Sequence, residues 1–277
     1  MDRPPIDLAA YRRRIGHAGP TSPTLATLAA LQAAHVGAIP FENLDPLLGR
    51  PVPLDAVALQ DKLVHRRRGG YCFEHGSLFR FVLEALGFTV TAYAARVVYR
   101  RPPDVVPPRT HMLLRVDLPE GPFLTDVGFG GPTPTAPLAL VAGIEQATPL
   151  EPFRLVELAG ELALQIRQQD GWQTLYRFAP APQQPIDLVV ANWFVATHPE
   201  SRFVNRLIVA RSTESGRMAL VDLDHSVQHP GRQPVRRRLA DAAAVPALLE
   251  REFGLVLTDN ECEALVARLD ALAKPPG

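Results

Sequence analysis

Apolar residues change their spacing twice along this chain. Up to Gly87 they recur at helical intervals. "TLATLAALQAAHVGAI" predicts one helix, with Ser22-Pro23 as its cap and first turn. "DAVALQDKLVHRRR" predicts a second, acidic at its start and basic at its end as the helix dipole prefers. A third runs from Cys72 to Leu86, with Phe73, Leu78, Phe81, Val82 and Ala85 near helical spacing and Gly87 as its stop. Beyond Gly87 the period falls to two. "FTVTAYAARVVYR" and "HMLLRVDL" alternate, "PFLTDVGFGG" is a short strand ending in glycines, and "FRLVELA", "LALQIRQ" and "WQTLYRF" follow with turn residues between them. Short antiparallel strands in this number suggest a small barrel or a sandwich. "PIDLVVANWFVAT" reads as a helix, "RFVNRLIVAR" and "MALVDLD" as strands, and "ADAAAVPALLEREFG" and "DNECEALVARLDALA" as closing helices. The order is helices, then strands, then a mixed tail, with boundaries near Gly87 and Thr197 and no internal repeat.

Composition narrows the class. With 277 residues and 47% apolar content the chain can bury a large core, as one large or two to three small lobes. The 29 basic and 29 acidic side chains cancel, so no net field draws in nucleic acid or an anionic membrane. The arginine runs at Arg66–Arg68 and Arg236–Arg238 are short and read as solvated or ion-paired faces. The opening "MDRPPIDLAAYRRRIG" lacks a leader-type apolar segment, and no stretch approaches the ~18–20 apolar residues of a membrane span. A cytoplasmic, reducing setting with free thiols is the expectation for Cys72 and Cys262.

Most cysteines are inert core residues, but the setting of Cys72 is unusual. It follows "HRRRGGY" and opens a helix. A sulfur there lies beside unpaired backbone N–H groups and the positive end of the dipole, which favour the thiolate, and Gly69 and Gly70 leave it approachable. A nucleophilic thiol needs a base, and the base an orienting group. His111 opens one strand and Asp126 lies near the end of the next, the layout of papain-like thiol enzymes. A tight turn between Pro119 and Pro122 pairs His111 with about Gly128 to Gly130. That register leaves Asp126 on the same face but roughly 7–13 Å along the strand at ~3.3 Å per residue, so a bulge, bend or shear must close the gap. His75 forms a Cys-x-x-His pair with Cys72, but no second pair completes a zinc site, and a solvated helix position is its expected place. His225 and His229 carry no assignment, and Cys262 reads as structural. "GFGGP" departs from the dinucleotide fingerprint and marks a backbone that a ligand can approach closely, or a plain turn.

Four segments together, "IPFENLD" (39–45), "RGGYCFE" (68–74), "HMLLRV" (111–116) with "DVGFG" (126–130), and "NWFVATHPESRF" (192–203), resemble the arylamine N-acetyltransferase family in order and spacing. The likeness covers essentially the whole chain from "PPIDLAAYRRRIG" onward. It implies an α+β fold of three lobes: a helical bundle (1–87) carrying the nucleophile, an antiparallel β-barrel (88–197) carrying His and Asp, and an α/β lid (198–277), around a papain-like core. It implies that Cys72 takes an acetyl group from acetyl-CoA, with His111 as ion-pair partner and proton carrier and Asp126 orienting it. An arylamine, arylhydrazine or hydrazide then accepts the group in a ping-pong sequence. Acetyl-CoA is a co-substrate, with no tightly bound cofactor and no metal. By the same resemblance Phe41, Thr110, Phe129 and Phe203 contact the acceptor. Gly128, Phe129, Gly130 and Phe203 lie along CoA, and Glu42 pairs with Arg68. Xenobiotic metabolism and a monomer or homodimer belong to the same picture.

Two departures bear on the site. Gly76 stands where the family has asparagine, which removes an amide and widens the site or alters its support. Phe194, Val195 and Ala196 replace tyrosine, threonine and serine. Three other readings stay open: an amide synthase of polyketide assembly, which uses a different acyl donor; a thiol amidase or hydrolase, in which water takes the acyl group; and a binding protein that kept the fold.

Overall fold

A computed structural model of the chain describes residues 6–102 and 104–273; the first residues of the opening stretch, "MDRPP", lie outside them. Asp7 starts α1 (Leu8–Ile15) by accepting the Ala10 N–H, and Thr24 does the same for α2 (Leu25–Ala38) through the Thr27 N–H. The cap of α2 is therefore Thr24 and not the expected Ser22, because the chain turns into the helix only after Pro23. After a two-residue strand, β1 (Phe41–Glu42), come the short α3 (Leu44–Leu47) and α4 (Ala56–Leu59), which widens into a π-turn over Gln60–His65. The helix α5 (Cys72–Ala85) begins where Glu74 Oε2 accepts the Tyr71 N–H at 3.0 Å, and ends before Gly87, whose φ of 87° no side-chain-bearing residue adopts cheaply.

Eight antiparallel strands form the central sheet. They are β2 (Thr89–Val97), β3 (Arg109–Leu118), β4 (Gly121–Thr125), β5 (Leu138–Ala139), β6 (Glu145–Gln146), β7 (Phe153–Leu158), β8 (Glu161–Gln168) and β9 (Gly171–Phe178). Their spatial order is β5-β4-β3-β2-β9-β8-β7-β6. The two edges meet. The Gln146 amide on β6 accepts the Ala139 N–H of β5 at 2.7 Å and donates to the Ala139 carbonyl at 3.0 Å, and the Gly143 N–H donates to Leu155 O at 2.8 Å. A side chain thus does what backbone pairing leaves undone, and the sheet curls into a nearly closed barrel. Its interior holds Tyr93, Leu113, Phe153, Leu164, Tyr176 and Phe178, while the opposite face of β2 and β3, through Ala92, Met112 and Leu114, packs on α2 and α5 in the largest core.

The tail brings α6 (Pro185–Thr197), a helical turn α7 (Arg202–Asn205), and β10 (Ile208–Thr213), β11 (Gly216–Val221), β12 (Asp224–Gln228) and β13 (Val235–Arg238). "RFVNRLIVAR" is thus not one strand. Ser201 accepts the Phe203 N–H, turns residues 202–205 into helix, and delays the strand to Ile208. After α8 (Val245–Leu248) and a π-turn over Leu249–Phe253, α9 (Asp259–Ala273) closes the chain. The five-stranded sheet takes its first strand from far upstream: Phe41 pairs with Ala210 and Glu42 with Val209, while the Glu42 N–H donates to Gly70 O at 2.8 Å. Among the described residues no helix is long and apolar enough to cross a membrane.

A buried ionic cluster sits under this junction. Arg68 donates to Glu42 Oε1 through Nε (3.1 Å) and Nη2 (2.8 Å) and to Glu261 of α9 through Nη1 (2.8 Å). Lys62 Nζ lies 2.5 Å from Asp45 and 2.6 Å from Glu74. Burial pushes the Glu74 carboxyl up to about 7; Lys62 opposes the rise and the Glu42 charge adds to it. Removing one member of such a cluster strands the others. Lys62→Met is expected to cost about 3–5 kcal/mol. The loss should be larger at about pH 8 than at about pH 6, since a carboxyl whose folded pKa is raised is protonated by the folded chain as pH falls. Urea unfolding at the two pH values checks both the size and the sign.

Candidate active site

Cys72 is the first residue of α5, 3% exposed, with its thiol directed at the Thr110 carbonyl at 3.5 Å. The site is closed from behind by glycines whose role is close approach. A Cβ on Gly69 would lie 2.1 Å from Pro40 O, so Gly69 serves the packing of this loop on residue 40. A Cβ on Gly128 would lie 2.8 Å from Cys72 Cα and 3.1 Å from its carbonyl oxygen. Gly128 thus packs against the backbone of Cys72. Gly128→Ala is expected to displace the start of α5, costing about 1–3 kcal/mol of stability. Turnover should fall about 100-fold, as for a misplacement of about an ångström. Thermal melting and steady-state turnover measure the two effects separately.

His111 and Asp126 meet. His111 Nε2 lies 2.7 Å from Asp126 Oδ2, and Asp126 Oδ1 accepts the Gly128 N–H at 2.9 Å. The register is close to the one expected, Leu114 opposite Thr125 and Leu118 opposite Gly121. The gap closes because Asp126 is the first residue off the ladder: β4 ends at Thr125, and the chain turns on Gly128. Burial alone would lower the His111 pKa. The Asp126 carboxylate and the Cys72 sulfur outweigh it and raise it to about 10, which favours an imidazolium. With Nε2 committed to Asp126, Nδ1 is the nitrogen available to the sulfur. The ring is held edge-on by Phe129 (centroids 5.2 Å) and tilted against Tyr176 (4.9 Å), whose buried hydroxyl faces Asp126 without a well-formed hydrogen bond.

The other sequence-selected residues surround this centre. Phe41 stacks parallel to His75 (6.5 Å) and contacts Phe203 (5.9 Å), which in turn meets Tyr71 (5.5 Å). Phe203 and Phe129 are half-buried, as is Thr110, whose backbone carbonyl is its link to the sulfur. Gly130 has a φ of 94°, and a Cβ there would lie 3.5 Å from the Phe41 ring. Gly76 leaves no enlarged site: a Cβ there would lie 3.0 Å from Met112 Sδ, so a methionine of β3 fills the space.

His75 is not solvated. It is 1% exposed and ends a chain of buried polar groups. Tyr11 Oη lies 2.7 Å from His35 Nδ1, His35 Nε2 lies 2.8 Å from His75 Nδ1, and His75 Nε2 lies 3.2 Å from Pro40 O. A carbonyl only accepts, so His75 Nε2 donates to it, His35 Nε2 donates to His75, and Tyr11 donates to His35. Burial lowers the His75 pKa to about 4 and drives that of His35 well below its usual value. Both rings are neutral and their proton positions follow from one carbonyl. No spacing rule in the sequence links residues 11, 35 and 75; only the packing of three helices does.

The N-acetyltransferase family pattern matches residues 24–262. The chain belongs to the arylamine N-acetyltransferase family. It is similar to the arylamine N-acetyltransferase of Mycobacterium tuberculosis, 49% identical over 278 aligned residues that cover 98% of each chain. It is 41% identical to the arylamine N-acetyltransferase / N-hydroxyarylamine O-acetyltransferase of Salmonella typhimurium, with 83% of this chain and 82% of that one covered. The solved arylamine N-acetyltransferase of Mycobacterium marinum in complex with CoA superposes with a TM-score of 0.93 at 47% identity, over 96% of this chain and 99% of that one. The α+β architecture, with its helices, curled antiparallel sheet and α/β tail, is that of the arylamine N-acetyltransferases.

Proposed function

We propose that this arylamine N-acetyltransferase uses acetyl-CoA and works through an acetyl-Cys72 thioester, in two half-reactions. The observation that carries the reading is the His111 ring, fixed by Asp126 on Nε2 and turned toward Cys72 at the start of α5. The Cys72 thiolate attacks the acetyl carbonyl carbon, the bond from that carbon to the CoA sulfur breaks, and the His111 imidazolium gives its proton to the departing thiolate. His111 is then neutral and able to act as base. The nitrogen of an arylamine, arylhydrazine or hydrazide attacks the acetyl-cysteine and loses its proton to His111, and Cys72 leaves as thiolate, which restores the ion pair. An aromatic amine is unprotonated near neutral pH, so it attacks without prior deprotonation. Phe41, Phe129 and Phe203 form apolar walls for its ring, Thr110 borders them, and Gly128 and Gly130 leave the backbone open along the donor.

Support comes from the relatives: a solved one carries CoA, and one is named for O-acetyl as well as N-acetyl transfer. The test is to mix enzyme with acetyl-CoA and no amine, and to read the intact mass. A gain of one acetyl group on the peptide containing Cys72, discharged by added aniline faster than by water, is the expected result. An enzyme that stays unmodified while amine is acetylated overturns the two-step route. Discharge by water at the same rate as by amine makes it a hydrolase.

A further inference from the structure

Four arginines from two distant segments crowd one side of the active centre. Arg100 lies in the turn after β2 with a left-handed backbone (φ 55°), and its guanidinium sits over the Tyr99 ring, 5.0 Å from the centroid. Tyr99 packs edge-on to Phe129 (6.3 Å), which packs edge-on to His111 (5.2 Å). Three consecutive contacts thus lead from the Arg100 cation to the catalytic imidazole. Arg202 opens α7 immediately before Phe203, the residue that packs on Phe41 and Tyr71 beside Cys72. The two segments face each other: Arg202 feels Arg206, Arg101 and Arg100 as like charges. Partial loss of hydration and this repulsion hold its pKa below that of a free guanidinium, and Asp222 opposes them.

Asp222 is already engaged, 2.7 Å from Arg206 Nη2. Among the described residues no carboxylate forms an ion pair with Arg100, Arg101 or Arg202, whereas Arg68, Arg217 and Arg206 each have one. Like charges held together without counter-charge raise the energy of the empty protein, and an anion with several oxygens relieves it. We propose that Arg100, Arg101 and Arg202 receive the phosphate groups of the CoA donor, so that its pantetheine arm runs along Tyr99 and Phe129 to Cys72. This rests on the reading that acetyl-CoA acylates Cys72. Guanidinium pairs suit the planar, bidentate recognition of phosphoryl oxygens, and the aromatic path between them and His111 suits an arm that carries few charges.

The test compares donors that share the acetyl thioester and differ in phosphate. For wild type and the triple variant Arg100→Gln/Arg101→Gln/Arg202→Gln, kcat/KM is measured with acetyl-CoA and with S-acetylpantetheine, and CoA affinity is measured by calorimetry. The preference for acetyl-CoA over S-acetylpantetheine is expected to fall at least about tenfold in the triple variant. CoA affinity should fall by a similar factor, and the triple lysine variant should retain most of the preference. In wild type the preference declines as salt rises, because exposed charges are screened. A preference unchanged within about twofold in the glutamine variant, or an equal loss with both donors, overturns the proposal. Competition by inorganic phosphate as strong as that by the adenosine bisphosphate half of CoA also overturns it, since the cluster is then a free-anion site. Acetylation of Cys72 by S-acetylpantetheine reports on the transfer chemistry alone. If it fails while the glutamine variant still loses CoA affinity, the covalent route falls and the phosphate site stands.

Discussion

Cys72→Ser is expected to lower acetyl transfer at least about 10⁴-fold while the protein stays folded. The substitution shortens one bond in a site already 3% exposed, so packing around it changes little. Chemistry changes far more. A hydroxyl stays protonated at neutral pH, and the base that faces it is His111, which the Asp126 carboxylate still holds toward the imidazolium form when the sulfur is gone. An imidazole already carrying its proton does not take one from serine. Thiols thus suit this site and alcohols do not, which is the reverse of the serine hydrolase arrangement, where the histidine starts neutral. CoA release in the presence of an aniline, together with a melting curve, decides the matter. Turnover within about tenfold of wild type would falsify the assignment of Cys72 as nucleophile.

Asp126→Asn is expected to cost about 10²–10⁴-fold with the fold preserved. The Asn oxygen can still accept the Gly128 N–H, so the loop keeps its shape. What is lost is the charge that outweighs burial at His111. The sign is explicit. The wild-type pKa is raised to about 10, so the protonated ring contributes fully below its unfolded value near 6.5 and is lost as pH rises through 10. Without the carboxylate, burial prevails over what remains and the ring tends to the neutral form, so it presents no positive charge to the Cys72 sulfur. The basic limb of the pH profile of kcat/KM for acetyl-CoA should move down by several units, and alkylation of Cys72 at neutral pH should slow in parallel. A profile that keeps its basic limb near 10 would show that Asp126 only shapes the loop.

Much of this is legible in the sequence alone. The helix read over Cys72–Leu86 followed from its spacing and its Gly87 stop, and those over 185–197 and 259–273 from their composition and length; the structure has α5 end at Ala85. The strand register followed from a tight turn placed at Pro119–Pro122, and it brought His111 and Asp126 to one face. Their contact did not follow, since a ladder that ends one residue early leaves no mark on the apolar pattern. The same limit hid the Tyr11–His35–His75 chain. His75 reads as a polar helix position, and only the arrival of α2 and α1 makes it core. Gly76 looked like a loss of support because its compensating partner, Met112, lies on another element. Arg202 read as part of a strand because "RFVNRLIVAR" has strand-like composition, and a single serine hydroxyl decides otherwise.

The tie between Arg68 and Glu261 has a bearing on biosynthesis. Arg68 stands four residues before the sulfur, and one of its partners is 193 positions downstream, in the last helix. On the ribosome, Gly70 and Cys72 emerge early, but the strand that grips their loop needs residue 210 and the guanidinium beneath it needs residue 261. A nascent chain therefore lacks both supports of the Cys72 loop until residues 210 and 261 have been made. Loss of the final helix removes none of Cys72, His111 and Asp126, yet it takes Glu261 from Arg68 and leaves that guanidinium to Glu42 and Asp45.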